Sequence, residues 1–188
     1  MYKLCKTEQS AARQRELEQG LVAIMNTMRY EDISVSDLCE KLNIPRKSFY
    51  RYFSSKDGAL HALIDHTLME FDAASGDDTA PDRDRHGDLT PFFLFWMQQK
   101  PLLDALERSG LSGVLIERTI DYSVSEGSFA VNLLRSEAMR TQRHVMMFAV
   151  CGLMTMVIQW HHGGYRESVS EMAKVARRLL TKPLFPGA

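Results

Sequence analysis

Four cations are concentrated in one short stretch of the chain, from position 43 to position 56, where no acidic residue occurs. The chain has 188 residues and a formal net charge of -1, so its overall charge indicates no particular partner. A local cluster of lysine and arginine is typical of a surface that docks on phosphate groups, and neighbouring tyrosines add hydroxyl donors. The stretch contains Arg46, Lys47, Arg51 and Lys56, together with Tyr50 and Tyr52.

Two short helices joined by a tight turn are predicted to carry this cluster. Ser34–Asp37 has the form of a capping box, and the apolar residues that follow recur with helical spacing. Asn43 suits the left-handed backbone that ends a helix, and Pro45 suits the start of the next one. The second helix needs only three inward anchors, Ile44, Phe49 and Phe53, so we expect its other side chains, Tyr52 included, to face outward.

Such a pair of helices is the pattern of a helix-turn-helix, whose second helix inserts its N-terminal end into the DNA major groove. Arg46, Lys47 and Ser48 lie at that end and are predicted to reach base edges. Hydroxyls and helix N-termini favour phosphate contacts. The residues predicted to make or support such contacts are Ser34, Ser36, Tyr50, Tyr52 and Lys56.

These segments resemble the TetR family of bacterial regulators. In that family a small residue or threonine opens helix two, and the next helix ends in Leu/Phe-Tyr-x-His/Tyr-Phe before a short Ser/Lys segment. The corresponding segments here are 33–38, 44–53 and 54–57, and the likeness covers about 8–66. Asn43 replaces the family's usual glycine and Pro45 a frequent serine or threonine. The resemblance implies phosphate contacts by Ser34, Tyr50 and Lys56, and base contacts by Arg46, Lys47 and Ser48, with Ser36 a further candidate.

The rest of the chain also has helical apolar spacing, which predicts an all-α fold of about nine helices. We expect a three-helix helix-turn-helix DNA-binding domain at 1–55, a connecting helix at 56–74, an acidic loop at 75–88 and a helical regulatory and dimerisation domain at 89–188. The first helix is predicted over 8–28, and a cap at 54–57 should begin the fourth. Later helices are predicted at 89–99, 101–109, 111–126, 130–163 and 168–181, the last opened by a capping box at Ser168–Glu171.

The C-terminal half is similar to the family's variable domain, in which the last two helices of two subunits form a four-helix bundle. The resemblance therefore implies a homodimer through about 140–162 and 168–181, binding a palindromic double-stranded operator. A dense aromatic run at 92–97 exceeds what one helix face can bury. It predicts either a pocket for an apolar small-molecule effector or a surface that docks a protein. The candidate pocket residues are Phe92, Phe93, Trp96, Met147, Phe148 and Met154.

Other classes of site find little support in the sequence. The three cysteines are scattered, and the histidines lack ligand spacing, so we expect no metal site and no cofactor. No catalytic constellation is visible, and no signal peptide or membrane span is predicted, because the most apolar stretch, 145–158, is too short. We therefore expect a cytoplasmic DNA-binding repressor that responds to a small molecule. The alternatives are a ligand-independent co-regulator or activator that recruits a protein and, more remotely, a small helical enzyme.

Overall fold

Within the residues that the computed structural model describes, which are 2, 3, 5, 7–75, 88–124 and 143–182, the regular structure is helical apart from one isolated bridge. This part of the chain forms nine α-helices and a short 3₁₀ turn at Tyr30–Asp32, which confirms the predicted all-α class. The predicted acidic loop lies, except for its ends, outside the described residues, as does the segment from 125 to 142. The helices are α1 (Glu8–Met25), α2 (Val35–Lys41), α3 (Arg46–Tyr52), α4 (Lys56–Ser75), α5 (Thr90–Gln98), α6 (Lys100–Arg108), α7 (Ser112–Ser123), α8 (Arg143–His162) and α9 (Val169–Thr181).

Side chains hydrogen-bond to the backbone at the end of α1, which differs from the prediction, and at the start of α4. α1 ends at Met25 rather than Met28, because the Asn26 amide donates to the carbonyl of Val22 and the Thr27 hydroxyl to that of Ile24. Such local bonds compete with the helical ladder. At the start of α4 the cap is Ser55, whose Oγ accepts the Gly58 N–H at 3.0 Å. The cap predicted within residues 54–57 therefore begins α4, and Ser55 is the residue that caps it.

The described residues pack into two units. The first contains Met1–Leu68 and Pro101–Arg118, and the second contains Met69–Lys100 and Thr119–Ala188. In the first unit α6 is tied to the turn after α1, because the Asn26 amide also donates to the Pro101 carbonyl at 2.9 Å. Residues 101–118, which the sequence analysis grouped with the C-terminal half, thus pack with the N-terminal helices.

The second unit is built around aromatic side chains of α5 and α8. Phe93 and Trp160 meet edge to face with their ring centroids 5.7 Å apart, and the Trp160 indole N–H donates to the Glu167 carbonyl. The turn between α8 and α9 requires left-handed backbone at Gly164, with φ of 74°. The predicted capping box at Ser168–Glu171 opens α9 and is confirmed.

α8 is the one helix in the described part of the chain that is long and apolar enough to cross a membrane by length and composition. It has 20 residues and a mean hydropathy of 1.3 over its most apolar window, of which 44% is buried inside the chain. Its inner face carries Met146, Leu153, Val157 and Trp160 into the core of the second unit. Helices of this kind also occur in the cores of proteins that meet no bilayer.

Candidate DNA-binding site

The start of α2 is fixed by the predicted capping box. The Ser34 hydroxyl accepts the Asp37 N–H at 3.1 Å, and the Ser34 N–H donates to the Asp37 carboxylate at 2.8 Å. Hydrogen bonding of the Asp37 carboxylate to the Ser34 side chain, and then to the Ser34 backbone N–H, lowers the pKa of Asp37 below its usual range. The Ser34 side chain is exposed to solvent. The arrangement leaves a well-defined helix N-terminus at the surface.

The turn between α2 and α3 has the predicted conformation. Asn43 adopts left-handed backbone with φ of 50°. The Ile44 N–H then donates to the Cys39 carbonyl at 2.9 Å, which closes the end of α2. Asparagine tolerates this backbone better than most residues other than glycine. The replacement of the expected glycine therefore leaves the turn intact.

α3 is held by aromatic anchors, as the sequence predicted. Phe49 and Phe53 are 2% and 0% exposed, and their rings lie 5.2 Å apart. Pro45 lies at the N-cap of α3, just outside the helix, where its carbonyl accepts the Ser48 N–H at 2.8 Å. No side chain caps the N-terminus of α3, so backbone N–H groups of its first turn remain available to a ligand or to solvent.

The outer faces of α2 and α3 bring three predicted contact residues together. The Arg46 guanidinium donates to the Ser36 hydroxyl at 3.1 Å and to the Tyr50 hydroxyl at 3.4 Å. It also lies 5.9 Å from the centre of the Tyr50 ring. Lys47 beside it is exposed and Ser48 is half-buried. The surface thus presents two cations and two hydroxyl-bearing side chains that can donate to base edges and phosphate oxygens.

Tyr52 does not belong to this surface. It is only 7% exposed, and its ring lies 6.2 Å from that of Phe53. Its predicted outward orientation is wrong, because a residue three positions after Phe49 shares the inward face of the helix. The spacing of residues 49, 52 and 53 was the signal that would have placed it in the core.

Lys56 has a second set of partners that the sequence did not indicate. Its ammonium donates to the carbonyls of Tyr30 and Ile33 at 2.5 and 2.6 Å and lies 4.2 Å from the centre of the Tyr30 ring. The Tyr30 hydroxyl donates to Asp57 at 2.6 Å. Burial, followed by the bond to Asp57, raises the pKa of this phenol well above its usual range. Lys56 therefore joins the start of α4 to the turn before α2, with one N–H left for a phosphate.

In the second unit the candidate pocket residues divide between the interior and the surface. Phe92, Phe93, Trp96 and Met154 are buried, and Met147 is half-buried. Phe148 is 64% exposed, so the expectation that it lines an interior pocket is wrong. Of the four aromatic residues of α5, Phe92, Phe93 and Trp96 are buried, whereas Phe95 is half-buried. The Trp96 indole N–H is buried and has no hydrogen-bond acceptor among the described residues.

Comparison with known proteins agrees with the geometry of the first unit. A family model described as bacterial regulatory proteins of the tetR family matches residues 29–63. Over 57 residues the chain is 40% identical to the HTH-type transcriptional regulator EthR of Mycolicibacterium smegmatis. That match covers 30% of this chain and 25% of the relative. The capped α2, the left-handed turn, the anchored α3 and these matches together identify residues 29–63 as a helix-turn-helix similar to the DNA-binding segment of the TetR family.

Proposed function

We propose that the chain is a cytoplasmic transcriptional repressor that binds a palindromic operator as a homodimer and releases it when an apolar small molecule binds the C-terminal domain. The observation that carries the DNA-binding part is the outer face of α3. There Arg46 and Lys47 are exposed at an N-terminus without a side-chain cap, while Phe49 and Phe53 hold the helix from beneath. A rigid element that presents cations suits groove recognition.

The residues of this face divide into two roles. Arg46 and Lys47 read base edges, where either side chain pairs with the acceptors of guanine. Ser34 and Tyr50 contact phosphates, as does the remaining N–H of Lys56, and these contacts fix the register of the helix without reading sequence. Ser36 directs the guanidinium of Arg46, since its hydroxyl accepts from that group at 3.1 Å.

Exposed apolar surface on α8 and α9 supports a homodimer. From Val145 to Trp160 the chain carries no charged residue. The exposed face of α8 includes Phe148, which is 64% exposed, and Gly152 and Thr155 one and two turns further on. On α9, Val175 and Leu179 are 50% and 41% exposed and one turn apart. Exposed apolar side chains of this kind are commonly covered in stable assemblies.

The indole N–H of Trp96, which meets no acceptor in the part of the chain that the structure describes, supports an effector site. A buried donor without an acceptor is costly, and such groups in native proteins call for a bound partner or another explanation. Phe92 and Phe93 lie on the same helix as Trp96, are also buried, and would supply the apolar lining of such a site. An apolar molecule with one carbonyl or ether oxygen would satisfy the donor while burying its own hydrocarbon.

A mobility-shift assay with operator DNA tests the DNA-binding part. The Arg46→Ala/Lys47→Ala variant should lose at least about 30-fold in operator affinity, since each of the two base contacts contributes about 1–3 kcal/mol and ten-fold corresponds to about 1.4 kcal/mol. The matched control is Lys100→Ala/Arg108→Ala, which removes two exposed cations outside α2, α3 and the proposed dimer interface and should retain most of the affinity. Intact affinity in the first variant would contradict the assignment of α3 as the recognition helix.

Transcription in a purified system distinguishes repression from the alternative of activation. With the operator placed over a promoter, the protein should reduce transcript yield, and a rise would favour a co-regulator that recruits a protein.

A panel of neutral ketones and esters tests the effector part. Release of operator by any of them should be weakened by Trp96→Phe, which keeps an aromatic ring but removes the donor. Unchanged release in that variant would remove Trp96 from the site.

A further inference from the structure

The first residues of the chain pair with the C-terminal end of α3. Tyr2 and Phe53 form an isolated antiparallel bridge, and the Lys3 N–H donates to the Tyr52 carbonyl at 2.9 Å. α3 has only seven residues, and a helix this short depends on tertiary contacts for its stability. The N-terminal segment therefore satisfies a carbonyl at the end of α3 that would otherwise meet only solvent.

Tyr2 fixes this segment to α4. Its hydroxyl donates to Oδ2 of Asp65 at 2.9 Å, and its ring meets the ring of His66 edge to face at 5.5 Å. The side chain is partly withdrawn from water. That burial, followed by the hydrogen bond to Asp65, raises the pKa of the phenol to about 12. Tyr2 is therefore a protonated donor throughout the physiological range.

Asp65 is in turn held by α7. Arg118 donates from Nε to Oδ1 at 2.9 Å and from Nη2 to Oδ1 and Oδ2 at 2.8 and 2.6 Å. Asp65 is 5% exposed, so its charge is balanced mainly by this guanidinium. A forked contact of this kind fixes the orientation of the carboxylate as well as its charge. Asp65 thus presents Oδ2 to the Tyr2 hydroxyl in a defined direction.

We infer that Tyr2 is a positioning residue for DNA recognition: anchored on Asp65 and Arg118, it holds the backbone pairing that fixes the C-terminal end of α3. The inference rests on the proposed function, because its consequence for DNA requires α3 to be the recognition helix. It also gives α7 a role, because the guanidinium of Arg118 orients the Asp65 carboxylate that accepts the hydrogen bond from the Tyr2 hydroxyl. A structural change in α7 would be transmitted to α3 through the side chains of Arg118, Asp65 and Tyr2.

Tyr2→Phe tests the inference because it removes the hydroxyl and keeps the ring against His66. In the free protein the Lys3 amide should exchange with solvent hydrogen about ten-fold faster, as expected for the loss of a hydrogen bond to a charged acceptor. Operator affinity should fall about three-fold to ten-fold, with little change in affinity for unrelated DNA. The matched control is Tyr122→Phe, which removes a similar bond, from Tyr122 to Asp72 at 2.7 Å in the second unit, and should change neither quantity.

The two readouts separate failure of this inference from failure of the proposed function. Unchanged exchange of the Lys3 amide in Tyr2→Phe would show that the hydroxyl does not hold the segment, whatever the protein does with DNA. Faster exchange with unchanged operator affinity would show that the segment does not position α3. If the wild-type protein bound no DNA sequence selectively, the proposed function would fail, while the exchange result would still decide whether Tyr2 anchors the segment. An equal loss of affinity for all DNA would assign Tyr2 a general structural role and overturn the inference.

Discussion

Removal of the Lys56 ammonium should lower the stability of the DNA-binding unit as well as its affinity for DNA. The resemblance to the TetR family implies only that Lys56 contacts a phosphate of DNA. A residue with that role alone could be substituted without a loss of folding stability. In the structure its ammonium also bonds to the carbonyls of Tyr30 and Ile33. Lys56→Met keeps most of the aliphatic stem and deletes the charge, so it isolates the contribution of these bonds.

The expected loss is about 2 kcal/mol. Hydrogen bonds to a charged group contribute about 1.5–3 kcal/mol each to the free energy of unfolding. Lys56 is half-buried, so water replaces part of the two lost bonds and the net loss is smaller than their sum. In urea denaturation followed by circular dichroism, a loss of this size lowers the midpoint by roughly 1 M. DNA affinity should fall in the same variant for all sequences.

Lys47→Met provides the matched control, because it removes the same group from an exposed position of α3. Its unfolding free energy should change by less than about 0.5 kcal/mol, while its operator affinity falls. Equal denaturation midpoints for Lys56→Met and Lys47→Met would refute the reasoning, since the two carbonyl bonds would then contribute nothing measurable.

Three further outcomes are expected. The capping box depresses the pKa of Asp37, so its stabilisation of α2 is present above the usual carboxyl value of 3.8 and is lost as pH falls through the lower folded value; an NMR titration midpoint at or above 3.8 would contradict this. Asn43→Gly should leave thermal stability unchanged or slightly raised, whereas Asn43→Val should cost about 1–2 kcal/mol at a φ of 50°; equal melting temperatures would argue against a left-handed turn. Trp160→Phe should destabilise the protein by about 1 kcal/mol more than Trp96→Phe in chemical denaturation, because only the Trp160 N–H has an acceptor among the described residues; the reverse order would indicate that Trp96 is satisfied in solution.

Features set by local physics were predictable from the sequence. The capping boxes at Ser34 and Ser168, the left-handed Asn43 and the anchors Phe49 and Phe53 each depend on neighbours within a few positions. Apolar spacing likewise gave the helical class. Three of the residues expected to meet DNA also lie together on one surface, where Arg46 touches both Ser36 and Tyr50.

What the sequence left open depends on contacts between distant segments. Lys56 meets Tyr30 across 26 positions, and Tyr2 meets Asp65 across 63. Residues so far apart carry no periodicity that links them, and only the packed fold brings them together. Tyr52 is a different case: its burial followed from helical spacing, but the aromatic hydroxyl favoured an outward interpretation. The contact of each individual residue with DNA remains a prediction.

Selection of bound sequences from a random pool of double-stranded DNA by the intact protein tests the central claim most directly. The account predicts that one palindromic sequence is enriched, with half-sites spaced by about one helical turn or a multiple of it. In the Arg46→Ala/Lys47→Ala variant that sequence preference should be lost, while weak, salt-dependent binding remains. Enrichment of no sequence by the wild-type protein, or the same preference in the variant, would contradict the assignment of α3 as the element that reads DNA.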